Sequence, residues 1–360
     1  MKKYFFSLAL LLTFGAAFVV CAAAQTTIDN GGAKSSGQKM AAIEEAIRLE
    51  TPNGNLYGTL LLPQSKRKMP VVLIISGSGP TDRDGNSPLL KGPNNSLKLL
   101  AEGLAANGIA SLRYDKRGVG ETGKEMLLAA QKAKTVFREI DLRFDAYIDD
   151  AVLWGQRLRG DKRFSTVTIA GHSEGSLIGM IAARKLPADN FVSIAGAGRP
   201  AGQILLEQLK PQFTPELFRQ TEEIINLLVA GQSPSFVPPQ LNMLFRPGIQ
   251  PYMISWLRYD PAKEIAALSA PVLIIQGTTD IQVSVEDGRR LAVAGPKAKL
   301  FLVEGMNHVL KQVSKEGEKQ TASYSDPTLP VSPALINEIS RFVSRGHRPR
   351  KSPRLLFPAG

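Results

Sequence analysis

The feature that most constrains the fold of this chain is the alternation of short apolar segments with longer segments of helical periodicity. The run Val-Val-Leu-Ile-Ile at 71–75 is continuous and rich in β-branched residues, as expected for a strand that helices cover on both faces. The same reasoning predicts further strands at 109–114, 166–170, 191–195, 272–276 and 300–303. Intervening helices are predicted at 96–107, 141–159, from 174 onward, at 285–294 and at 333–344. This order favours an α/β fold with a mostly parallel sheet flanked by helices.

Two further features complete the predicted architecture. Short strands at 47–50 and 56–62 surround the turn Pro52-Asn53-Gly54-Asn55, whose Asn-Gly pair is typical of a hairpin. Between the strands at 191–195 and 272–276 lie roughly 70 residues, far more than an ordinary connection needs. Because 200–261 contains apolar helical stretches and a proline-rich break, we expect a small helical cap inserted there.

The first 24 residues have the pattern of a secretory signal peptide. Lys2 and Lys3 precede an apolar run at 4–20, and Ala22-x-Ala24 matches a cleavage site. An uncleaved membrane anchor is the alternative, but the apolar run is near the lower length limit for a span. We therefore expect export to the periplasm or the medium, with no stable membrane span after cleavage. Cleavage also removes Cys21, the only cysteine, which excludes disulfides in the mature chain.

The net charge of +12 does not indicate a nucleic-acid partner. Much of the excess lies in the signal peptide and in a basic, proline-containing tail at 346–360, which we expect to be disordered. The polar, Gly- and Ser-rich segment 25–40 is expected to be a flexible leader, and the folded domain is expected to cover 41–345. No basic stripe with interleaved aromatic residues remains there, so no nucleic acid is expected to bind.

The pentapeptide Gly171-His172-Ser173-Glu174-Gly175 fits the pattern G-x-S-x-G. It lies between a predicted strand and a predicted helix, which is the context that the pattern requires. Two glycines permit a tight strand-to-helix turn that exposes a serine above the edge of the sheet. Ser173 is therefore the candidate nucleophile.

A serine hydroxyl needs a base that removes its proton, and the chain has only three histidines. His172 adjoins the serine and should point elsewhere, and His347 lies in the basic tail. His308 lies in a loop just after the predicted strand 300–303, so it is the candidate base.

The base in turn needs an acid that orients it. Asp280 follows the predicted strand 272–276 at the edge of the sheet where active-site loops gather, and we select it. Asp287 is the rival, but it falls in the first turn of a predicted helix. An acidic residue is favourable there because of the helix dipole, so no catalytic role is needed to explain it. In chains that have a nucleophile elbow, the three residues occur in the order serine, acid, histidine, and Ser173, Asp280 and His308 have this order.

These motifs resemble those of the α/β-hydrolases, in the bacterial group that includes serine-aminopeptidase-like hydrolases and exported esterases of the EstD type. The similarity covers most of the stretch from about 43 to 344 and excludes the leader and the tail. It rests on the segments 77–86 (GSGPTDRDGN), 114–120 (YDKRGVG), the pentapeptide, 276–280 (QGTTD) and 307–308. The resemblance implies the α/β-hydrolase fold.

The resemblance also implies an oxyanion hole made of backbone N–H groups, those of Ser78 and Glu174. Two such donors would stabilise the negative oxygen of a tetrahedral intermediate. The loop departs from the usual His-Gly start, because Ser76-Gly77 stands there. No metal and no cofactor are implied.

Two other patterns are weaker. The segment 118–123 matches G-x-G-x-x-G, but Asp-Lys-Arg separates it from the strand, which disfavours a dinucleotide site. The segment from Asp82 resembles a calcium loop, but Ser87 replaces the required glycine and Pro93 the terminal glutamate. A structural turn is the better interpretation.

The residues favour hydrolysis of a small-molecule carboxylic ester through an acyl-enzyme on Ser173. An aminopeptidase or acyl-peptide hydrolase with the same triad is the first alternative. It would need a carboxylate to bind the substrate ammonium, for which the insertion offers Glu207, Glu216, Glu222 and Glu223. A non-catalytic binding scaffold on the same fold is the second alternative.

Overall fold

The computed structural model describes residues 42–51, 54–134 and 138–346. The predicted signal peptide, the leader and the tail from 347 onward lie outside these residues, so the expectations about them stay predictions. Across the described ranges, no helix is both long enough and apolar enough to cross a membrane.

The described residues form one sheet of eight strands. The strands are β1 (Ala42–Leu49), β2 (Leu56–Pro63), β3 (Met69–Ile75), β4 (Ala110–Tyr114), β5 (Phe164–His172), β6 (Asn190–Ile194), β7 (Val272–Gly277) and β8 (Ala298–Val303). Their spatial order is β1-β2-β4-β3-β5-β6-β7-β8. The pairs β1–β2 and β2–β4 are antiparallel, and all the other neighbours are parallel. The predicted α/β class and the mostly parallel sheet are confirmed.

Helices cover both faces of this sheet. They are α1 (Ser96–Ala106), α2 (Gly120–Lys132), α3 (Phe144–Gly160), α4 (Glu174–Lys185), α5 (Ala201–Leu209), α6 (Pro215–Val229), α7 (Asn242–Phe245), α8 (Gln250–Leu257), α9 (Pro261–Ala266), α10 (Val285–Ala294), α11 (Glu318–Ala322) and α12 (Pro333–Gly346). Short 3-10 turns occur at Glu139–Asp141, Pro239–Leu241 and Ser323–Ser325.

The central strand β3 shows why the sheet is buried on both sides. All seven of its residues are buried. Val71, Leu73 and Ile75 belong to the core beneath α3 and α4, whereas Val72 and Ile74 belong to the core beneath α1 and α12. Successive side chains of a strand point to opposite faces, so a continuous apolar run supplies both cores.

The predicted elements differ from the observed ones at several points: β1 begins at Ala42 rather than 47, β8 begins at Ala298 rather than 300, α11 was not predicted, and two further differences concern β5 and α2. Strand β5 extends to His172, because Gly171 and His172 still pair with Ser193 and Ile194 of β6. Helix α2 was not predicted, since 120–132 begins with Gly-Glu-Thr-Gly and has no clear apolar face. For β5 the pairing with β6 outweighs the local preference of Gly171 for a turn.

The helices α5 to α9 form the long connection between β6 and β7, and aromatic packing joins them to α3. Phe144, at the start of α3, is fully buried. Its ring lies 6.1 Å from that of Tyr252, 6.2 Å from that of Trp256 and 5.6 Å from that of Tyr259. Its backbone N–H donates to Ser255 Oγ at 2.8 Å. Burial of these rings is a large apolar contribution that holds the connection against the sheet layer.

Truncation of this aromatic cluster should lower stability. We expect Phe144→Ala to reduce the free energy of unfolding by about 3–5 kcal/mol, because a buried ring is lost and a cavity remains. Urea unfolding followed by fluorescence measures the change. Phe236→Ala is the matched control, since that ring is 70% exposed and its loss should cost less than about 0.5 kcal/mol. Equal losses in the two variants would contradict this account of the packing.

Candidate active site

A pocket lies where the carboxyl ends of β3, β5, β7 and β8 meet. Parallel strands that end at one edge of a sheet bring the loops after them together. The lining residues are Gly77, Ser78, Pro80, Thr81, Gly85, Ser87, Leu89, Leu90, Asn94, Ser96, His172, Ser173, Gln282, His308 and Val309. The pocket therefore contains the predicted nucleophile, the predicted base and one predicted oxyanion donor.

Ser173 lies on a sharp turn directly between β5 and α4. Its φ of 55° and ψ of −121° are uncommon for a residue with a side chain. The glycines on either side permit this turn. A Cβ atom on Gly171 would lie 2.0 Å from the carbonyl oxygen of Gly175, and one on Gly175 would lie 2.4 Å from that of Ile75. The backbone of this turn is thus packed directly against the end of β3.

Asp280 and His308 are in direct contact. His308 Nδ1 lies 2.9 Å from Asp280 Oδ2. The other carboxylate oxygen of Asp280 accepts from the N–H groups of Gln282 and Val283 at 2.7 and 3.0 Å. Gln276 Nε2 also donates to Asp280 Oδ2, at 3.3 Å. These donors fix the carboxylate, and the carboxylate in turn fixes the imidazole, so that Nδ1 carries the proton and Nε2 is free to accept one.

The structure thus brings the three predicted residues into one arrangement. Ser173 and His308 line the same pocket, and Asp280 contacts His308. The sequence order and the location at the sheet edge were sufficient to identify this arrangement. The catalytic roles of the three residues stay predictions.

Asp287, the rival acid, has a structural role. The Asp287 N–H donates to Ser284 Oγ at 3.2 Å and the Ser284 N–H donates to Asp287 Oδ2 at 3.3 Å, which forms a capping box at the start of α10. Ser284 Oγ also donates to Asp287 Oδ2 at 2.6 Å. Arg199 Nε donates to its Oδ1 at 2.9 Å. Burial raises the pKa of Asp287, but Arg199 and Ser284 outweigh it and hold that pKa below its ordinary value. The carboxylate of Asp287 therefore binds Ser284 and Arg199 rather than His308.

His172 supports the loop that carries His308. Its Nε2 lies 2.8 Å from the backbone oxygen of His308, and since a carbonyl only accepts, Nε2 carries the proton. The two rings are 4.9 Å apart. Burial, together with the repulsion from His308, lowers the pKa of His172 to about 3. His172 is therefore neutral and structural, as the sequence indicated.

The N–H groups of Ser78 and Glu174 flank the turn. Ser78 follows β3 by three positions and lines the pocket, and Glu174 is the first residue of α4. Within the described ranges, neither N–H donates to a protein acceptor. Free donors at the start of a helix and beside a serine can bind a negatively charged oxygen.

A polar network holding the His308 loop was not predicted. Asn307 Nδ2 donates to Gln320 Oε1 and to Ser323 Oγ, both at 2.8 Å, and Asn307 Oδ1 accepts from the Lys311 N–H at 3.0 Å. Asn307 is fully buried. Its position before the histidine was the only signal in the sequence, because its side-chain partners lie 13 and 16 residues away.

The low pKa of His172 predicts how stability depends on pH. In the unfolded chain the imidazole has a pKa of about 6.5, so between pH 6.5 and 3 the unfolded state binds more protons than the folded state. The free energy of unfolding should therefore decrease as pH falls through this range, by up to about 1.4 kcal/mol per pH unit from this group. His172→Gln keeps a donor but does not titrate.

Urea unfolding at pH 7, 6 and 5 tests this prediction. The decrease should be smaller in His172→Gln than in the unmodified protein, and the difference between the two isolates His172 from the carboxylates. Identical pH dependence in both proteins would show that His172 is not held neutral.

The sequence of this chain is similar to those of known hydrolases. A family model described as serine aminopeptidase, S33, matches residues 95–231. Esterase EstD from Thermotoga maritima is 30% identical over 296 residues, which are 81% of this chain. The chain spans 66% of the length of that esterase, just under two thirds.

Solved structures show the same fold. Est1E from Butyrivibrio proteoclasticus, determined with ferulic acid bound, aligns with a TM-score of 0.55 and 14% identity, over 84% of this chain and 99% of that one. The α/β hydrolase GrgF from Penicillium sp. sh18 aligns with a TM-score of 0.52 and 15% identity, over 84% and 99% of the two chains. These matches show that the chain has the α/β-hydrolase fold, and its likeness to esterase EstD extends over 81% of its length.

Proposed function

We propose that this protein is a serine hydrolase that cleaves carboxylic esters through an acyl-enzyme on Ser173. The observation that carries the proposal is the 2.9 Å contact between His308 and Asp280 beside a pocket that also holds Ser173. Similarity to an esterase supports the type of bond.

In the first half of the proposed reaction, Ser173 Oγ attacks the ester carbonyl carbon while His308 Nε2 takes the hydroxyl proton. The carbonyl oxygen becomes negative and accepts hydrogen bonds from the N–H groups of Ser78 and Glu174. Asp280 stabilises the imidazolium that forms. The intermediate then collapses, and His308 gives its proton to the departing alcohol.

In the second half, water replaces the alcohol. His308 Nε2 takes a proton from the water, whose oxygen attacks the acyl carbon bound to Ser173. The same two N–H groups bind the second oxyanion. Collapse breaks the bond to Ser173 Oγ, which recovers its proton from His308, and the carboxylic acid leaves. Apart from the ester and water, every group that these two half-reactions use belongs to this chain.

The pocket favours an ester over an aminoacyl peptide. An aminopeptidase needs a carboxylate that binds the substrate ammonium, yet the described residues that line the pocket include no Asp or Glu. The carboxylates of the insertion are engaged elsewhere. Glu207 pairs with Arg199, and Glu216 and Glu223 pair with Arg219 on the exposed face of α6. Glu222 is not among the lining residues either.

The lining also bears on the size of the substrate. Most of it comes from the segment 77–96, and none of it comes from the helices between β6 and β7. The aliphatic side chains available to an acyl chain are chiefly Leu89, Leu90 and Val309. Each methylene of an acyl chain contributes about 0.8 kcal/mol to binding only where it is buried against apolar atoms. We therefore propose that short acyl chains are preferred.

A p-nitrophenyl ester series from acetate to palmitate tests this function. Turnover should be fastest with short chains, and Ser173→Ala should lower kcat by at least about 10⁴-fold, because the nucleophile is lost. Ser176→Ala is the matched control, since Ser176 lies one turn further along α4 and bonds to Ser193 Oγ at 2.7 Å, away from the pocket. Full turnover by Ser173→Ala would overturn the proposal. Cleavage of aminoacyl p-nitroanilides alone would favour a peptidase, and no turnover with ligand binding would favour a scaffold.

The acid of the triad can be tested against its rival. Asp280→Asn should lower kcat by about 10³- to 10⁴-fold, because an amide cannot stabilise the imidazolium or select its tautomer. Asp287→Asn should leave kcat unchanged and lower the free energy of unfolding by about 1 kcal/mol, because an amide does not replace the charge that pairs with Arg199. Steady-state kinetics and urea unfolding of both variants provide the comparison. A larger loss of kcat in Asp287→Asn would reverse the assignment.

A further inference from the structure

A lysine is buried beside the predicted oxyanion site. Lys116 lies two residues after β4, and its side chain is 0% exposed. Its ammonium donates to the backbone oxygen of Gly77 at 2.5 Å and to Glu174 Oε2 at 3.0 Å. It also lies 5.3 Å from the centre of the Tyr147 ring. The ammonium thus has three partners: a carbonyl, a carboxylate and an aromatic face.

A fully buried charge requires compensation that a surface lysine would not need. Glu174 supplies the opposite charge, and its side chain is only 1% exposed. Its second oxygen accepts from Tyr252 Oη at 2.5 Å. Burial, with the neighbouring Glu174 carboxylate, holds the pKa of Tyr252 well above its ordinary value, so the phenol stays a donor.

We propose, resting on the function above, that Lys116 is a positioning residue that sets the direction of both oxyanion donors. One of its polar contacts is to the Gly77 carbonyl, which shares a peptide group with the Ser78 N–H. The other is to the side chain of Glu174, whose own N–H is the second donor. The substrate class that this arrangement serves is one whose carbonyl oxygen becomes negative during reaction.

The first contact acts through a single peptide plane. The carbonyl of Gly77 and the N–H of Ser78 belong to the same peptide group, and no described peptide bond is cis. In a planar trans peptide these two groups point in opposite directions. When Lys116 holds the Gly77 oxygen on its own side, the Ser78 N–H faces away from Lys116. A Cβ on Gly77 would lie 3.2 Å from Ser173 Cβ, so this peptide is close to the nucleophile.

The second contact acts on the start of α4. Glu174 follows Ser173 directly, and its N–H is the other predicted donor. Lys116 and Tyr252 hold its carboxylate from two sides, which restricts rotation of the first turn of α4 relative to β3. Since the charges of Lys116 and Glu174 compensate each other, we assign this pair an orienting role rather than a net electrostatic one.

The experiment removes Lys116 in a background that lacks the Glu174 charge, so that no lysine variant leaves a buried carboxylate unpaired. Glu174→Gln is the reference, because it keeps the backbone N–H and leaves Lys116 able to donate to Gly77. Adding Lys116→Met to this reference removes that donation with little change in side-chain volume. Adding Lys116→Gln instead removes the charge but retains a side-chain donor. Active sites are counted with a fluorophosphonate that labels Ser173, and kcat and KM are measured with p-nitrophenyl acetate.

We expect Lys116→Met in the Glu174→Gln background to lower kcat per active site about 10- to 100-fold, somewhat less than the loss of an oxyanion donor, with little change in KM. Affinity for a trifluoromethyl ketone, whose adduct with Ser173 carries the oxyanion, should fall by the same factor as kcat/KM. Lys116→Gln should recover part of both losses. A merely structural lysine would lower the free energy of unfolding without changing kcat per active site.

Equal kcat values in the reference and in the Lys116→Met variant would overturn this inference. If the lysine variants do not fold, Tyr252→Phe tests the Glu174 contact alone, and an unchanged kcat and ketone affinity there would contradict it. Turnover by the unmodified protein distinguishes a failure of the proposed function from a failure of the role proposed for Lys116. Absence of serine-dependent turnover in it would overturn the proposed function, whereas normal turnover with insensitive variants would overturn only the role of Lys116.

Discussion

The close approach of the turn at Ser173 to the end of β3 is the constraint on which the rest of the site depends. Gly175 leaves no room for a side chain against the carbonyl of Ile75, and Ser173 adopts a left-handed φ. A conformation of this kind costs about 1–3 kcal/mol and persists only where its surroundings impose it. Here β5 lies between β3 and β6, and the Ser173 N–H donates to the Ile194 oxygen at 2.9 Å. Ser173 is therefore fixed relative to the loop that begins at Gly77.

The segment that follows β4 organises this loop through buried charges. Asp115 accepts from the Arg83 N–H and the Glu121 N–H, both at 2.8 Å, and thereby joins the pocket loop to α2. Lys116 holds the first peptide of the same loop, and Arg117 pairs with Asp150 of α3 at 2.6 Å. A buried pair contributes little net stability but imposes one geometry, because breaking it leaves a charge without compensation. Three consecutive charged residues thus connect three different elements around the site.

The sequence predicted what depends on local pattern and could not predict what depends on distant partners. The apolar run of β3 and the turn at Ser173 are local signals, and the structure has both. Asp280 and His308 could be identified because each follows a predicted strand. Lys116 was quoted only as part of a loop motif, since its partners Gly77 and Glu174 lie 39 and 58 residues away. Charged residues are expected at the surface, and only tertiary structure shows that this one is buried.

The helices between β6 and β7 are connected to the site in an unexpected way. The sequence offered glutamates of this insertion as ligands for a substrate ammonium, yet none of the pocket lining comes from it. Its contact with the proposed machinery is Tyr252, which donates to the Glu174 carboxylate and packs between Phe144 and Tyr147. A rearrangement of α8 would therefore reach the oxyanion site by changing the hydrogen bonds of Glu174, without touching the substrate. In the proposed mechanism, substrate size thus depends on the loop 77–96, and transition-state geometry depends on the Lys116–Glu174–Tyr252 network.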